Sequence, residues 1–236
     1  MIELKHVTEF PREVIALDEV GRSPLSGPVV IGCVRLLVTD NEKFKSLIRL
    51  LRRKGIKDSK LLSAELRQSI LKNLGIQMIP FRNRGEIELR GMTLSYVTWE
   101  MNHQIIDTEN ILQASLRGMK EASLFLSVGD KTQSTLLIDG HMKLKWDSEI
   151  KPWEEISIIK GDVKSALIGL ASVIAKERRD QYMQEMHVLY PQYGFDTNMG
   201  YPTRFHRLAI AQFGPCPIHR LSFNKVKEFL TPGIVT

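Results

Sequence analysis

The chain has 236 residues, 43% hydrophobic and 25% charged, and 33 Lys and Arg against 27 Asp and Glu give a formal net charge of +6. That apolar share supports a packed core and excludes global disorder, and the two cysteines, Cys33 and Cys216, lack a CxxC partner, which argues against a disulfide framework or a cysteine metal centre. No apolar run approaches the roughly 18 to 20 residues that span a bilayer and no signal-peptide core opens the chain, so a soluble, cytoplasmic protein without a membrane partner is expected.

In chain order, residues 14–17 and Val29–Val38 read as strands, joined by a turn in GRSPLSGP, which is dense in Gly, Pro and Ser. Residues 44–53 have helical spacing with a basic face. Ser63 caps a second helix that stops at Gly75. Residues 76–80 are a short strand candidate, and residues 85–107 lean helical. Thr108-Glu109-Asn110 opens an amphipathic helix in which Ile111, Leu112, Ser115, Met119, Ala122 and Leu126 recur at three- and four-residue steps. Residues 135–138 and 156–159 read as buried strands, and residues 165–186 as a long helix. A loop over 190–201 and a helix near 203–213 complete the pattern, which is a mixed α/β order in one domain, residues 1–236, with a helical C-terminal part over about 187–236.

Three short strands end in acid. IALDE ends in Asp18 and Glu19, TLLIDGH in Asp139, and ISIIKGD reaches Asp162. Functional groups gather at strand ends in α/β sheets, so neighbouring strands would bring four carboxylates together. Like charges repel and lose solvation when enclosed, and a divalent cation relieves both costs. Oxygen donors without Cys or an ordered His pair suit Mg²⁺ or Mn²⁺, as in phosphodiester cleavage with two ions roughly 3.5–4 Å apart. Each acid has a plainer reading beside this. Asp139-Gly140 also fits a turn, and Asp162 fits a helix cap. Asp18-Glu19 in an apolar setting is a poor turn former.

DEVGRSPLSGPVV, DSKLLS, ENILQAS, LIDGH, KGDVKSALIGLASVIAKERRD, YPQYGF, GYPTRFH and HRLSF follow one another over residues 15–226. Together they resemble type 2 ribonuclease H, the bacterial ribonuclease HII family. The resemblance implies a ribonuclease H-like α/β fold, a mixed five-stranded sheet flanked by helices with a C-terminal helical segment. It implies cleavage of RNA in RNA/DNA hybrids, and 5′ to single ribonucleotides in duplex DNA, leaving 5′-phosphate and 3′-hydroxyl ends. The family's catalytic and metal-binding acids map to Asp18, Glu19, Asp139 and Asp162. Its turn that reads the 2′-hydroxyl maps to Gly21, Arg22 and Ser23, and its sugar-packing tyrosine to Tyr201. Lys60, Lys176 and Arg179 are candidate phosphate contacts, with a solvated surface as the plainer reading of Lys176 and Arg179. His141, His206 and His219 read as structural or surface residues. A monomer is the family's usual state, and no replication-clamp motif is evident in the tail.

The chain also departs from the family pattern. Ser23 stands where glycine is usual, Leu61 where a second lysine is usual, Asn198-Met199 where HK is usual, and His141 where Asn is usual. A serine at positive φ would be strained, so junction preference is the property these departures touch. Besides a metal phosphatase on a small substrate, which would predict a closed pocket in place of an open basic groove, two other readings stand beside the first. One is a ribonuclease HIII-like enzyme acting on longer hybrids, against which the chain starts close to the catalytic strand without that family's N-terminal domain. The other is a hybrid-binding module without catalysis, against which all four acids are present.

Overall fold

A computed structural model describes residues 2–56, 62–129, 133–144, 146 and 153–230. The short helix α1 (Glu3–His6) precedes a hairpin-like pair, β1 (Arg12–Val20) and β2 (Val29–Val38). Helices α2 (Asn41–Arg53) and α3 (Ala64–Leu74) follow, then β3 (Gly85–Leu89), β4 (Met92–Met101), α4 (His103–Glu109) and α5 (Ile111–Leu126). Next come β5 (Ser134–Asp139), β6 (Glu154–Ile158), α6 (Gly161–Lys164) and the long α7 (Ala166–Leu189). Helices α8 (Phe195–Asn198), α9 (Arg204–Phe213) and α10 (Asn224–Lys227) complete the described part.

The strands form one sheet in the order β3-β4-β2-β1-β5-β6. β1 is antiparallel to β2 and parallel to β5, which is parallel to β6. The sheet is therefore mixed as expected, but it has six strands where five were expected. Residues 85–107, which lean helical by sequence, supply two strands, while the strand expected at 76–80 is absent. β4 pairs with β2 over Val29–Met101 to Leu36–Leu94, and β3 then pairs with β4. Ile87 and Leu94, partners across that last ladder, both pack on the core, so tertiary pairing overrides a helical preference in Glu, Leu and Met. Residues 76–80 are not a strand. The Gln77 amide donates to the Tyr96 hydroxyl at 3.1 Å, which satisfies that backbone without a ladder.

Helix starts follow the sequence. Ser63 accepts from the Leu66 amide, Asn110 from Leu112 and Gln113, Ser165 from Ile168 and Thr203 from His206. The helices cover both faces of the sheet. α7 packs on β1 and β2, and α5 packs on β2 and β4. The two cores divide β1 by alternation, with Val14 and Ala16 in the α7-side core and Ile15 and Leu17 in the α5-side core. A strand buried on both faces reads as a continuous apolar run. A third core joins Leu25 of the first turn to Met183, Tyr193, Phe195, Ile210 and Ile218.

Candidate active site at the strand ends

Alternation along β1 decides where the adjacent acids go. Asp18 continues the face of Val14 and Ala16, toward α7. Glu19 continues the face of Ile15 and Leu17, toward α5. β5 carries Leu137 in the α7-side core and Ile138 in the other, so Asp139 shares the face of Asp18. The parallel ladder pairs Leu17 with Ile138, which sets Asp18 and Asp139 side by side one step further on. The two neighbouring acids thus point to opposite faces of the sheet at the end of β1, and a carboxylate from the next strand joins one of them.

Asp18 is 2% exposed. Its Oδ1 accepts from the Glu19 amide at 2.8 Å, while its Oδ2 is enclosed without a hydrogen-bond partner. Burial holds its carboxyl well above the usual carboxylate range. The charges of Glu19 and Asp139 push it higher, a Ser172 hydroxyl offsets part of this, and Asp162 adds to the rise. Asp139 Oδ1 accepts from the Gly161 amide at 2.6 Å, which ties the β5 end to the segment bearing Asp162. Asp162 is buried and accepts from the Val163 amide at 3.1 Å. It does not cap the long helix, because Ser165 does. Among the described residues no three His, Cys, Asp or Glu side chains converge on a metal-sized point, as expected of like charges facing one another. The donor set itself, four carboxylates with one enclosed unpartnered oxygen, suits a hard divalent cation.

A cleft of about 490 Å³ opens over Asp18, Glu19 and Asp139, lined also by Gly21, Arg22, Ser23, Ser172, Lys176 and Tyr201. Arg22 pairs with Glu19 at 3.2 Å. Lys176 pairs with Asp180, which also binds Arg67 at 2.7 Å. Burial lowers the Lys176 ammonium below the usual lysine range, against the pull of Asp180. Gly21 has a φ of +96°, and a Cβ there would lie 2.3 Å from Arg179 Nε, so the turn requires glycine. Ser23 has no positive φ, so serine brings no left-handed strain.

Arg179 is not at the surface, and the expected phosphate contact there gives way to a structural one. It is fully buried, donating to the carbonyls of Pro28 (3.2 Å), Met199 (2.9 Å) and Ser26 (3.1 Å). Arg220, also buried, donates to the carbonyls of Gly27 (2.9 Å), Arg22 (3.0 Å) and Gly21 (2.6 Å). The two guanidinia thus hold the turn from beneath. Sequence reading left Arg220 within a structural motif and did not single out Ser172, whose signal is a polar residue one helical turn before Lys176 in an otherwise apolar run. His206 and His219 are buried as structural residues, and Asn198 closes its own loop by accepting from the Gly200 amide at 2.8 Å. His141 is exposed. Lys60 and Leu61 lie outside the described residues.

A mixed sheet with acids at adjoining strand ends defines the class of ribonuclease H nucleases, and the comparisons agree. Ribonuclease H2 from Pyrococcus horikoshii superposes with a TM-score of 0.62 at 21% identity, covering 92% of this chain and 96% of that one. The ribonuclease HII of an Archaeoglobus fulgidus complex with PCNA gives 0.63 at 17% identity, covering 94% and 98%. The family model described as Ribonuclease HII matches residues 15–226. Ribonuclease HII of Desulfotalea psychrophila is 39% identical over 218 residues, 92% of this chain and 83% of that protein. That of Zymomonas mobilis is 37% identical over 229 residues, 96% and 91%. The chain belongs to the ribonuclease HII family, enzymes that are divalent-metal-dependent endonucleases of the hydrolase class acting on RNA/DNA substrates. No helix among the described residues is long and apolar enough to cross a membrane.

Proposed function

We propose that the chain cleaves RNA in RNA/DNA hybrids and cuts 5′ to single ribonucleotides embedded in duplex DNA, leaving 5′-phosphate and 3′-hydroxyl ends, and so serves ribonucleotide removal from DNA. The observation that carries this reading is Asp18, whose enclosed and unpartnered Oδ2 lies in the field of three other acids. A carboxylate disfavoured in its charged form by burial and repulsion gains most when a cation binds.

Asp18 and Asp139 would hold Mg²⁺ or Mn²⁺ between them, with Glu19 and Asp162 completing the ligand set. Mn²⁺ is the ion in a structure of Bst ribonuclease HIII, a fold neighbour at 17% identity. When bound, the cations lower the pKa of an attacking water and offset charge on the departing 3′-oxygen. The side chains of this chain then have positioning work. Asp139, anchored by the Gly161 amide, fixes its strand end against Asp18. The Gly21-Arg22-Ser23 backbone meets the 2′-hydroxyl, the group that separates ribose from deoxyribose. Its carbonyls are already bound by Arg220, which supports a rigid reader, and the unstrained Ser23 supports reading retained without the family's glycine. Tyr201, 39% exposed at the cleft, would pack on the next sugar. Lys176 would meet a phosphate, and Lys60 is proposed for the same role.

The test is cleavage of duplexes bearing one or four ribonucleotides, with Mg²⁺, Mn²⁺ or EDTA. Wild type should cut both in either metal and neither in EDTA. Asp139→Asn should lose at least about 10³-fold in rate while still binding duplex. Cutting of the four-ribonucleotide duplex alone would replace this reading with a ribonuclease HIII-like one. Near-normal cutting by Asp139→Asn would remove the assignment of the acids.

A further inference from the structure

Some described surface arginines carry acids beside them. Arg82 pairs with Glu100, Arg84 with Glu86, and Arg117 with Glu109 and Glu121. Others do not, among them Arg204 and Arg207 of α9, but helix α2 carries three such arginines within two turns. Arg49, Arg52 and Arg53 stand at i, i+3 and i+4, so they share one face, where like charges destabilise a helix. Among the described residues none of the three has an ion-pair partner, and together with Ser46 they line a depression of about 490 Å³. Arg49 and Arg53 are exposed, and Arg52 Nε is enclosed with no hydrogen-bond partner.

The position of this face gives it meaning. Arg52 donates to the backbone carbonyl of Lys164, an exposed lysine two residues after Asp162. Just beyond α2, Ile56 lies against Gly169 of α7. A Cβ on Gly169 would come within 3.0 Å of Ile56 and 2.7 Å of the Asp162 carbonyl. The C-terminal end of α2 is therefore packed directly behind the segment that bears Asp162. Arginine presents planar donors suited to phosphate oxygens, and repulsion among three guanidinia with no acid beside them among the described residues is relieved by an anion.

We propose that Arg49, Arg52 and Arg53, extended by Lys164, form a track for the phosphodiester backbone of the substrate duplex where it continues past the acids. The inference rests on the functional reading above for the identity of the substrate. A nucleic-acid backbone is favoured over a small anion, because the cations are spread along a helix face and continue to a fourth on another element.

The test is fluorescence anisotropy with the full chain in EDTA, so that no cutting occurs, using a duplex of about 30 base pairs with one central ribonucleotide across a KCl series. Removing one phosphate-neutralising side chain should reduce the slope of log affinity against log salt by about 0.9. Arg49→Ala/Arg53→Ala should therefore flatten the slope by nearly two and weaken binding at the lowest salt at least tenfold. Arg49→Lys/Arg53→Lys should restore most of the slope, which a folding defect would not allow. A duplex too short to leave the acids should bind both variants like wild type. An unchanged slope on the long duplex overturns the proposal, and so does an equal loss on the short one. Should the wild type bind with the expected slope yet fail to cut in the metal assay, the track stands and the catalytic reading falls.

Discussion

Glu13 and Asp18 are buried carboxylates on the same strand, and their surroundings treat them oppositely. Burial raises both. At Glu13, hydrogen bonds from Arg35 (2.5 Å), Ser127 (2.6 Å) and the Val128 amide (3.1 Å) outweigh it, and the carboxyl falls below its ordinary range. Asp18 has three acids for neighbours and stays high. A fold that leaves one carboxylate uncompensated carries a local instability that neutralisation removes. Asp18→Asn should therefore raise the Tm of the metal-free chain by about 2–4 °C, the shift that ~1 kcal/mol produces in a domain of this size, while abolishing cleavage. Calorimetry in EDTA checks this, and a lowered Tm would mean that Asp18 is already satisfied. Sequence reading selected all four acids, because carboxylates following apolar strand residues are conspicuous. It could not assign Asp18 and Asp139 to one face and Glu19 to the other, since that depends on the sheet order.

Among the elements, the turn after β1 depends on groups distant in sequence. Arg220 spans three carbonyls with one planar fork, which a lysine ammonium cannot do. Arg220→Lys should cost roughly 2–4 kcal/mol of stability, since buried bonds to a charged group are worth about 1.5–3 kcal/mol each and only some are lost. It should also lower cutting at single ribonucleotides more than on four-ribonucleotide duplexes. Urea melts and the paired cleavage assay read the two effects, and equal loss on both substrates would reduce Arg220 to a purely structural residue. Elements with local signals were legible: Ser63, Asn110, Ser165 and Thr203 each cap the helix they were expected to start. β3 and β4 were not, because the strand character of β4 comes from pairing with β2 and that of β3 from pairing with β4. The role of Arg179 was hidden for the same reason. A basic residue on a long helix looks solvated until the carbonyls of Ser26, Pro28 and Met199 are found around it.

At the scale of the whole molecule, the C-terminal segment is joined to the cleft through two imidazoles. The Cys216 amide donates to His219 Nδ1 at 2.9 Å, the two Nε2 atoms lie 3.0 Å apart, and His206 Nδ1 donates to the Tyr201 carbonyl at 2.9 Å. One neutral tautomer of each ring satisfies the whole chain. Burial, then the neighbouring His206, lowers His219 to about 4 from 6.5. The unfolded chain thus takes up a proton that the fold refuses between these values. Stability is complete above pH 6.5 and is lost as pH falls toward 4, by at most about 3 kcal/mol. Urea midpoints across this range should show the loss for wild type and less of it for His219→Gln; an identical acid slope would place the titration elsewhere. One consequence of β1 reaches across the molecule as well. Residues 14–17 are apolar toward both cores, so burial alone would tolerate the strand sliding by one residue, which would exchange the faces of Asp18 and Glu19. Glu13 forbids the slide, because it is bonded at once to Arg35 of β2 and Ser134 of β5. The phase of the strand end that carries the acids is thus latched at its opposite end, by a buried ion pair.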